Sequence, residues 1–346
     1  MSPIIFEPAA LADETQTAGV VISRDPFIAW GPNGPDWRIG PGSALAHHIG
    51  NRRAYFLFNV SYSRHFPGMV DDDAAAIAAL RHDYPEHRHV MLCNTRQELE
   101  LARERGIDAI LCSTLAFVNE TIFRILPTET VRFDAIYTAT LTGLKRHELC
   151  RDVPNLALIY HWFHSERQRR AAILEQYRAM LPQASFVNDL GPDYRLLRGP
   201  DVATWINRSR VGLCLSDVEG AMCASIEYLL CGRPVVTTPS IGGRDRVLDP
   251  AWSITVEPTR DAVAAGVRSL IDRELDPQQI RDGACAALRP DRMRLLQLIA
   301  AIHEQEGVKF PEQAHWLQLF RKSPWPQKTI GKMLRETPIA DLHAMR

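Results

Sequence analysis

Glu219–Asp245 reads EGAMCASIEYLLCGRPVVTTPSIGGRD, and this stretch decides the fold. The apolar run VGLCLS (Val211–Ser216) leads into it. An acidic loop, a compact helix, the strand PVVTT and a paired-glycine turn follow. Strand, loop, helix and strand in that order make one unit of a parallel α/β layer. Glu219 and Glu227 are separated by seven residues, so one carboxylate sits at the carboxyl end of a strand and the other two helical turns on. In an open α/β sheet the crevice beyond the carboxyl ends of the strands is where ligands bind.

The spacing predicts a helix from near Met222 to a stop at Gly232. Ile226, Leu229 and Leu230 recur at i, i+3 and i+4 and form its buried face. Cys223 and Glu227, four apart, share another face that looks into the cleft. Gly220, Ala221 and Met222 offer backbone N–H groups at the helix start, where unsatisfied donors and the helix dipole attract phosphate. A carboxylate beside phosphate is awkward, but it suits sugar or ribose hydroxyls, which donate to an ionised acceptor. The two glutamates therefore read as hydroxyl binders at either end of a diphosphate. That is the shape of a site for a sugar nucleotide.

Outward from this stretch, strand-like and helix-like segments alternate. Gly19–Ser23, Tyr55–Val60, His89–Cys93 and Ala109–Cys112 read as strands, with a Gly/Pro-rich loop, GPNGPDWRIGPGS, after the first. A helix begins at DDDAAAIAALRHD, where Asp71, Asp72 and Asp73 would cap it and complement its dipole. The helix TRQELELARERG has Thr95 as N-cap, Glu98 three residues on and Gly106 as its stop. A second series starts near Phe133: FDAIYTA a strand, KRHELCRD a helix, NLALIYHWF a strand, SERQRRAAILEQYRAML an amphipathic helix, then DVATWINRS and VGLCLS. Residues 120–133, broken by Pro127, form the natural linker. The expected organisation is an N-terminal domain over 1–128, a C-terminal domain over 129–308 and a tail over 309–346.

At 346 residues the chain is long enough for two cores. A formal net charge of -1 gives no global basic field for nucleic acid, so anion binding must be local. Seven scattered cysteines with no CxxC pair fit reduced thiols in a cytoplasmic protein. The N-terminus lacks a signal-peptide pattern, and no uncharged apolar stretch reaches spanning length. The tail from Lys309 to Arg335 carries six Lys/Arg against one Glu, interleaved with Phe310, Trp316, Phe320 and Trp325. It reads either as a peripheral patch on the inner face of a membrane or as a terminal helix packing back across the domain seam. His82, His87 and His89 lack the ligand pattern of a zinc site and read as a surface turn.

The stretch 211–245 resembles the nucleotide-sugar signature of the family-4 (group 1) glycosyltransferases of the GT-B fold. Glu219 and Glu227 match its E-x7-E element; Cys231 to Val236 with Gly242 and Gly243 match the "cGxPVV…GG" element that follows. The resemblance is diffuse over the rest of 88–275 and does not reach the first 87 residues; the N-terminal half is also short for the family, which suggests a trimmed acceptor domain. It implies an α/β architecture of two Rossmann-like domains, the second binding the donor. Glu219 would bind hydroxyls of the donor sugar, Glu227 the ribose, and residues 220–223 the sugar and phosphate through backbone N–H groups. Upstream, Lys145 falls on the family's diphosphate-binding lysine, but Thr140 stands where its arginine is expected. Arg146 or Arg244 would compensate, with the turn Ser240–Asp245 as part of the phosphate wall.

The family's active-site histidine on the N-terminal domain points to His65 in SYSRHFPG, with Arg64 beside it for an anionic acceptor. The implied reaction moves a glycosyl group from a nucleoside diphosphate sugar, the co-substrate, to a glycan or lipid-linked acceptor. Retention of configuration is implied, with no metal and no further cofactor. Two other classes stay open: a binding protein that kept the fold without turnover, and a GT-B epimerase or phosphorylase.

Overall fold

The computed structural model describes residues 16–34, 38–161, 169–191, 193–310, 317–321 and 328–341. Contacts group the chain into two units, Met1–Asn119 with Arg289–Arg346, and Glu120–Leu288. The first division falls inside the expected N-terminal domain, and residues 289–308 group with the first unit.

The first unit starts with β1 (Gln16–Thr17), β2 (Val20–Arg24), β3 (Phe27–Pro32), α1 (Pro41–Ile49) and β4 (Ala54–Asn59). It continues through α2 (Pro67–Asp83), β5 (His87–Cys93), α3 (Arg96–Glu104) and β6 (Asp108–Leu111). Strands β2 to β6 form one sheet in chain order, antiparallel at β2–β3 and parallel thereafter. Every residue of β3 and β4 is buried, as expected of parallel strands covered on both faces. Buried Asn59 is satisfied by Trp30, whose indole Nε1 donates to its Oδ1 at 2.6 Å.

Three local expectations change here. The Gly/Pro-rich segment ends in α1, because Pro41 at a helix start sacrifices no hydrogen bond. Gly42 lets that helix press on β5; a Cβ there would lie 2.7 Å from the His89 ring. Helix α2 begins at Pro67, so Asp71–Asp73 lie beyond its first turn and do not cap it. Asp73 is instead buried, accepting from Arg64 at 2.6 Å and Arg38 at 3.3 Å. His87 and His89 are not on a surface turn but fully buried on β5; only His82 is exposed. The capping box of α3 is present as read: Thr95 Oγ1 accepts from Glu98 N at 3.1 Å, and Glu98 accepts from Thr95 N at 3.2 Å.

The second unit holds β7 (Phe133–Thr138), β8 (Leu156–Ile159), α4 (Arg170–Met180), β9 (Ser185–Phe186), α5 (Gly199–Asn207) and β10 (Ser209–Cys214). Then come β11 (Val218–Glu219), α6 (Cys223–Leu230), β12 (Val235–Thr237), β13 (Ile241–Gly242), β14 (Ser253–Thr255) and α7 (Arg260–Asp272). Six strands form a wholly parallel sheet in the order β9-β8-β7-β10-β12-β14. The order grows outward from β7 in one direction and from β10 in the other. Their junction is the topological switch point of a doubly wound sheet. KRHELCRD, expected as a helix, forms two 3-10 turns, Gly143–Lys145 and His147–Cys150. Arg146 between them is left-handed, φ 48, ψ 46, which no continuous α-helix allows.

Helix α8 (Pro277–Gln305) begins in the second unit and supplies the first with its later residues. In the tail, β15 (Lys328–Thr329) pairs with β1, and α9 (Ile330–Arg335) follows. Ile330, Met333 and Leu334 join the core of β2, β3 and α1, while Leu319 and Phe320 join the cluster around Trp30 and Phe117. Phe310 packs against that cluster. Trp316 and Trp325 lie outside the described residues. No helix among the described residues is long and apolar enough to cross a membrane.

Candidate active site at the switch point of the second sheet

The carboxyl ends of β7 and β10 diverge, and the chain leaving each carries one of the charges singled out in the sequence. After β7 the two 3-10 turns deliver Lys145; after β10 the chain bends into β11 and delivers Glu219. The Lys145 ammonium and the Glu219 carboxylate form an ion pair with 20% and 13% of their side chains exposed. Tyr137, buried on β7, donates its hydroxyl to the Lys145 carbonyl at 2.6 Å and so fixes the turn that carries the lysine.

Glu219 is fixed from the other side. Strand β11 pairs in parallel with β13, so Glu219 lies opposite Gly242, and Gly243 N donates to the Gly220 carbonyl at 2.8 Å. The paired glycines thereby hold the start of the Glu219–Met222 loop. Met222 precedes α6 with no side chain capping it. Ser225 N is turned back on the Met222 carbonyl at 3.0 Å, so the N–H groups of Cys223 and Ala224 are the ones left as donors at the positive end of the helix dipole.

Helix α6 is seated by a buried tyrosine. The Thr138 N–H, at the end of β7, donates to the Tyr228 hydroxyl at 2.8 Å. The ring fits because residue 212 of β10 is glycine; a Cβ there would lie 2.2 Å from it. This contact sets the rotation of α6 and with it Glu227, the preceding residue. Glu227 is partly exposed. Its carboxylate has no hydrogen-bond or ion-pair partner among the described residues, and burial raises its pKa to about 7. Burial also pushes the Cys223 thiol up to about 12, which leaves it an uncharged wall one helical turn away.

Four more polar atoms point the same way. Thr138 Oγ1, Ser216 Oγ, Asp217 Oδ1 and Ser240 Oγ are buried without a hydrogen-bond partner, and they follow or end β7, β10 and β12. Buried polar atoms are almost always paired, so a cluster at one sheet edge marks a surface shaped for a polar ligand. Among the described residues no group of His, Cys, Asp and Glu has the arrangement of a metal site.

Other expected residues take different positions. Thr140 is buried, 4% exposed, and brings no cation to the place where an arginine was expected. Arg146 does not face water: its Nε donates to the Leu215 carbonyl at 2.6 Å and its Nη2 to Thr238 Oγ1 at 2.7 Å, which ties the ends of β10 and β12 together. Arg244 is fully buried, and its guanidinium is spent on Asp245 and on the carbonyls of Ser216 and Thr238. It builds the wall from behind rather than lining it. Arg64 is likewise spent on Asp73 in the first unit.

His65 also belongs to the first unit, after β4. Its Nδ1 meets Ser63 Oγ and its Nε2 lies 3.4 Å from Thr95 Oγ1. Exposed Tyr62 and Phe66 flank it in sequence. Tyr137 and Tyr228 were missed from sequence. Gly212, a glycine inside an apolar strand, was the available signal that something large comes close.

No family profile and no curated protein matches this sequence. Solved structures do. Anabaena HepE in complex with UDP is 10% identical, covers 78% of this chain and 85% of its own, and superposes with a TM-score of 0.54. Sucrose-phosphate synthase from Thermosynechococcus elongatus is 16% identical over 80% of this chain and 74% of its own, TM-score 0.53. A glycosyltransferase from Rickettsia africae is 14% identical over 78% and 75%, TM-score 0.53. At such identities the likeness is one of fold. The chain has the α/β GT-B fold, with two Rossmann-like domains.

Proposed function

We propose that the chain is a glycosyltransferase that takes its donor, a nucleoside diphosphate sugar, in the crevice of the second unit, and that it acts in the manner of family 4. The observation that carries this reading is Glu227, a carboxylate held without a partner among the described residues, one turn into α6 and eight residues on from the Glu219 of the Lys145–Glu219 pair. The uncapped start of α6 lies between them. Glu227 accepts the ribose hydroxyls, the α6 N–H groups and Lys145 take the diphosphate, and Glu219 accepts from the sugar. Structures with this fold include proteins bound to UDP and to UDP-glucose, which supports a nucleotide sugar as ligand.

In the transfer, the bond from the sugar's anomeric carbon to the diphosphate oxygen breaks, and its electron pair stays on that oxygen. A bond forms from an acceptor hydroxyl oxygen to the anomeric carbon, and the hydroxyl proton passes to the departing phosphate. The new bond forms on the face the phosphate leaves, with retention. Lys145 and the α6 dipole stabilise the growing phosphate charge, the main catalytic contribution. They supply this without a metal. The acceptor is a glycan or lipid-linked glycan, and His65 with exposed Tyr62 and Phe66 of the first unit are the residues assigned to it.

The test is a thermal-shift panel of UDP, GDP and ADP with their glucose conjugates, followed by an assay for nucleotide release with and without mixed acceptor glycans. Stabilisation by one nucleotide class and acceptor-dependent release support the enzyme. Stabilisation with no release across broad acceptor mixtures favours a binding protein instead.

A further inference from the structure

In the protein alone, the cation and anion of the candidate site neutralise each other. Lys145 and Glu219 are each fixed from behind, by Tyr137 on one side and by the β11–β13 pairing on the other. An anion arriving at the start of α6 is attracted by Lys145 and repelled by Glu219 across the same few ångströms. A bare diphosphate must pull the lysine from its partner and leave Glu219 facing both an anion and a partly buried surface. A glycosyl diphosphate brings hydroxyl donors that occupy the carboxylate as the phosphates occupy the ammonium. The cost of breaking the pair is thus offset for one ligand and not for the other.

We propose that the Lys145–Glu219 ion pair makes the site discriminate between a nucleoside diphosphate sugar and the nucleoside diphosphate left after transfer. This rests on the donor-site reading above and adds a direction to it. While the glycosyl group is attached, its hydroxyls hold Glu219 and free Lys145 for the phosphates. When the group has moved to the acceptor, Glu219 loses its donors, returns to Lys145 and competes with the diphosphate for it. Release of product is built into the pair, with no need for a separate moving element.

The consequence runs against the usual effect of mutating a binding residue. In calorimetric titrations with UDP, GDP and ADP and their glucose conjugates, Glu219→Gln is expected to bind the cognate nucleoside diphosphate about tenfold more tightly, the scale of one lost charge competition. It is expected to bind the conjugate more weakly. In a Lys145→Gln background the same Glu219→Gln change should tighten diphosphate binding clearly less, because only the direct repulsion by Glu219 remains and the coupling between the two is gone. Weaker binding of both ligands by Glu219→Gln, or tightening of the same size with and without Lys145, overturns the proposal. If Glu227→Gln still abolishes nucleotide binding in that event, the donor site stands and only the discrimination is wrong. If no nucleotide binds the wild type or Glu219→Gln, the donor-site reading falls and takes the proposal with it.

Discussion

The two sheets show how topology decides where chemistry can gather. In the second unit the strand order reverses between β7 and β10, so the chain leaving one turns away from the chain leaving the other. Lys145 and Glu219 meet in the opening, and four unpartnered polar atoms lie around the strand ends. In the first unit the described strands run in chain order from β2 to β6, and no reversal opens a crevice. Two of its buried carboxylates are closed, Asp73 by Arg64 and Glu98 by three backbone N–H groups, while both ring nitrogens of buried His89 stay without a hydrogen-bond partner at the start of β5. The first unit too has buried unpartnered atoms, at His89 and Thr114, so what distinguishes the second is the opening at its reversal and the ion pair that meets there.

The strongest way to break this contrast is to unseat α6. Gly212→Val places a side chain in the ring of Tyr228 and removes the support of Glu227. The expected cost is about 3 kcal/mol or more, visible as loss of cooperative unfolding of the second unit, with nucleotide binding lost too. At an open glycine of the first unit, Gly68→Ala adds a Cβ that meets nothing within 4 Å and should leave both properties nearly unchanged.

Arg244→Met comes next. It leaves the Ser216 and Thr238 carbonyls without their donor in a buried place, for an expected loss of about 2–3 kcal/mol in chemical denaturation. Because Arg244 stands behind the wall, any nucleotide that binds the surviving fold should do so with nearly wild-type affinity. A loss of affinity larger than the loss of stability would instead place its guanidinium on the ligand.

Glu227→Gln should separate stability from function. The folded pKa of about 7 lies above the carboxylate's ordinary value of 4.5. The stabilising proton is therefore fully bound below pH 4.5 in both states, and its contribution is lost as pH rises through 7. At pH 8 the glutamine variant should be more stable than wild type by about 1–2 kcal/mol, since it escapes the cost of burying a charge. Near pH 4 the difference should vanish. Equal stability at pH 8 would mean that the carboxylate has found a partner.

The smallest effect is expected in the first unit and has the opposite sign with pH. Burial lowers the pKa of His89 from 6.5 to about 3, so its contribution is present above pH 6.5 and lost as pH falls toward 3. His89→Gln keeps a polar side chain without that proton. It should flatten the acid side of the stability curve by about 1 kcal/mol, read by denaturant titration between pH 7 and pH 4.

The strand, loop, helix and glycine turn of the candidate site were legible because they are contiguous, occupying residues 211–245 in the order read. The capping box of α3 was legible for the same reason. What failed was set by contacts distant in sequence. Arg244 looks like a phosphate ligand until Ser216 and Thr238 turn their carbonyls to it, and Asp73 looks like a helix cap until Arg64 arrives. His87 and His89 read as a polar turn because single-sequence patterning cannot see that α1 presses on His89 at Gly42 and that the Gly50 carbonyl at its end meets His87. Arg146 is left-handed between two 3-10 turns and its guanidinium reaches the Leu215 carbonyl and Thr238, contacts about 70 and 90 residues away that no local propensity signals.

The central claim is that Glu227 is the ribose-binding carboxylate of a donor site in the second unit. Calorimetric titration of UDP-, GDP- and ADP-glucose into wild type and Glu227→Gln at pH 8 tests it directly. One conjugate should bind the wild type, and its affinity for the variant should fall by about 10–100-fold, the worth of hydrogen bonds to a charged acceptor, while the variant unfolds at a higher temperature. Equal affinity of wild type and Glu227→Gln for the bound conjugate would contradict it.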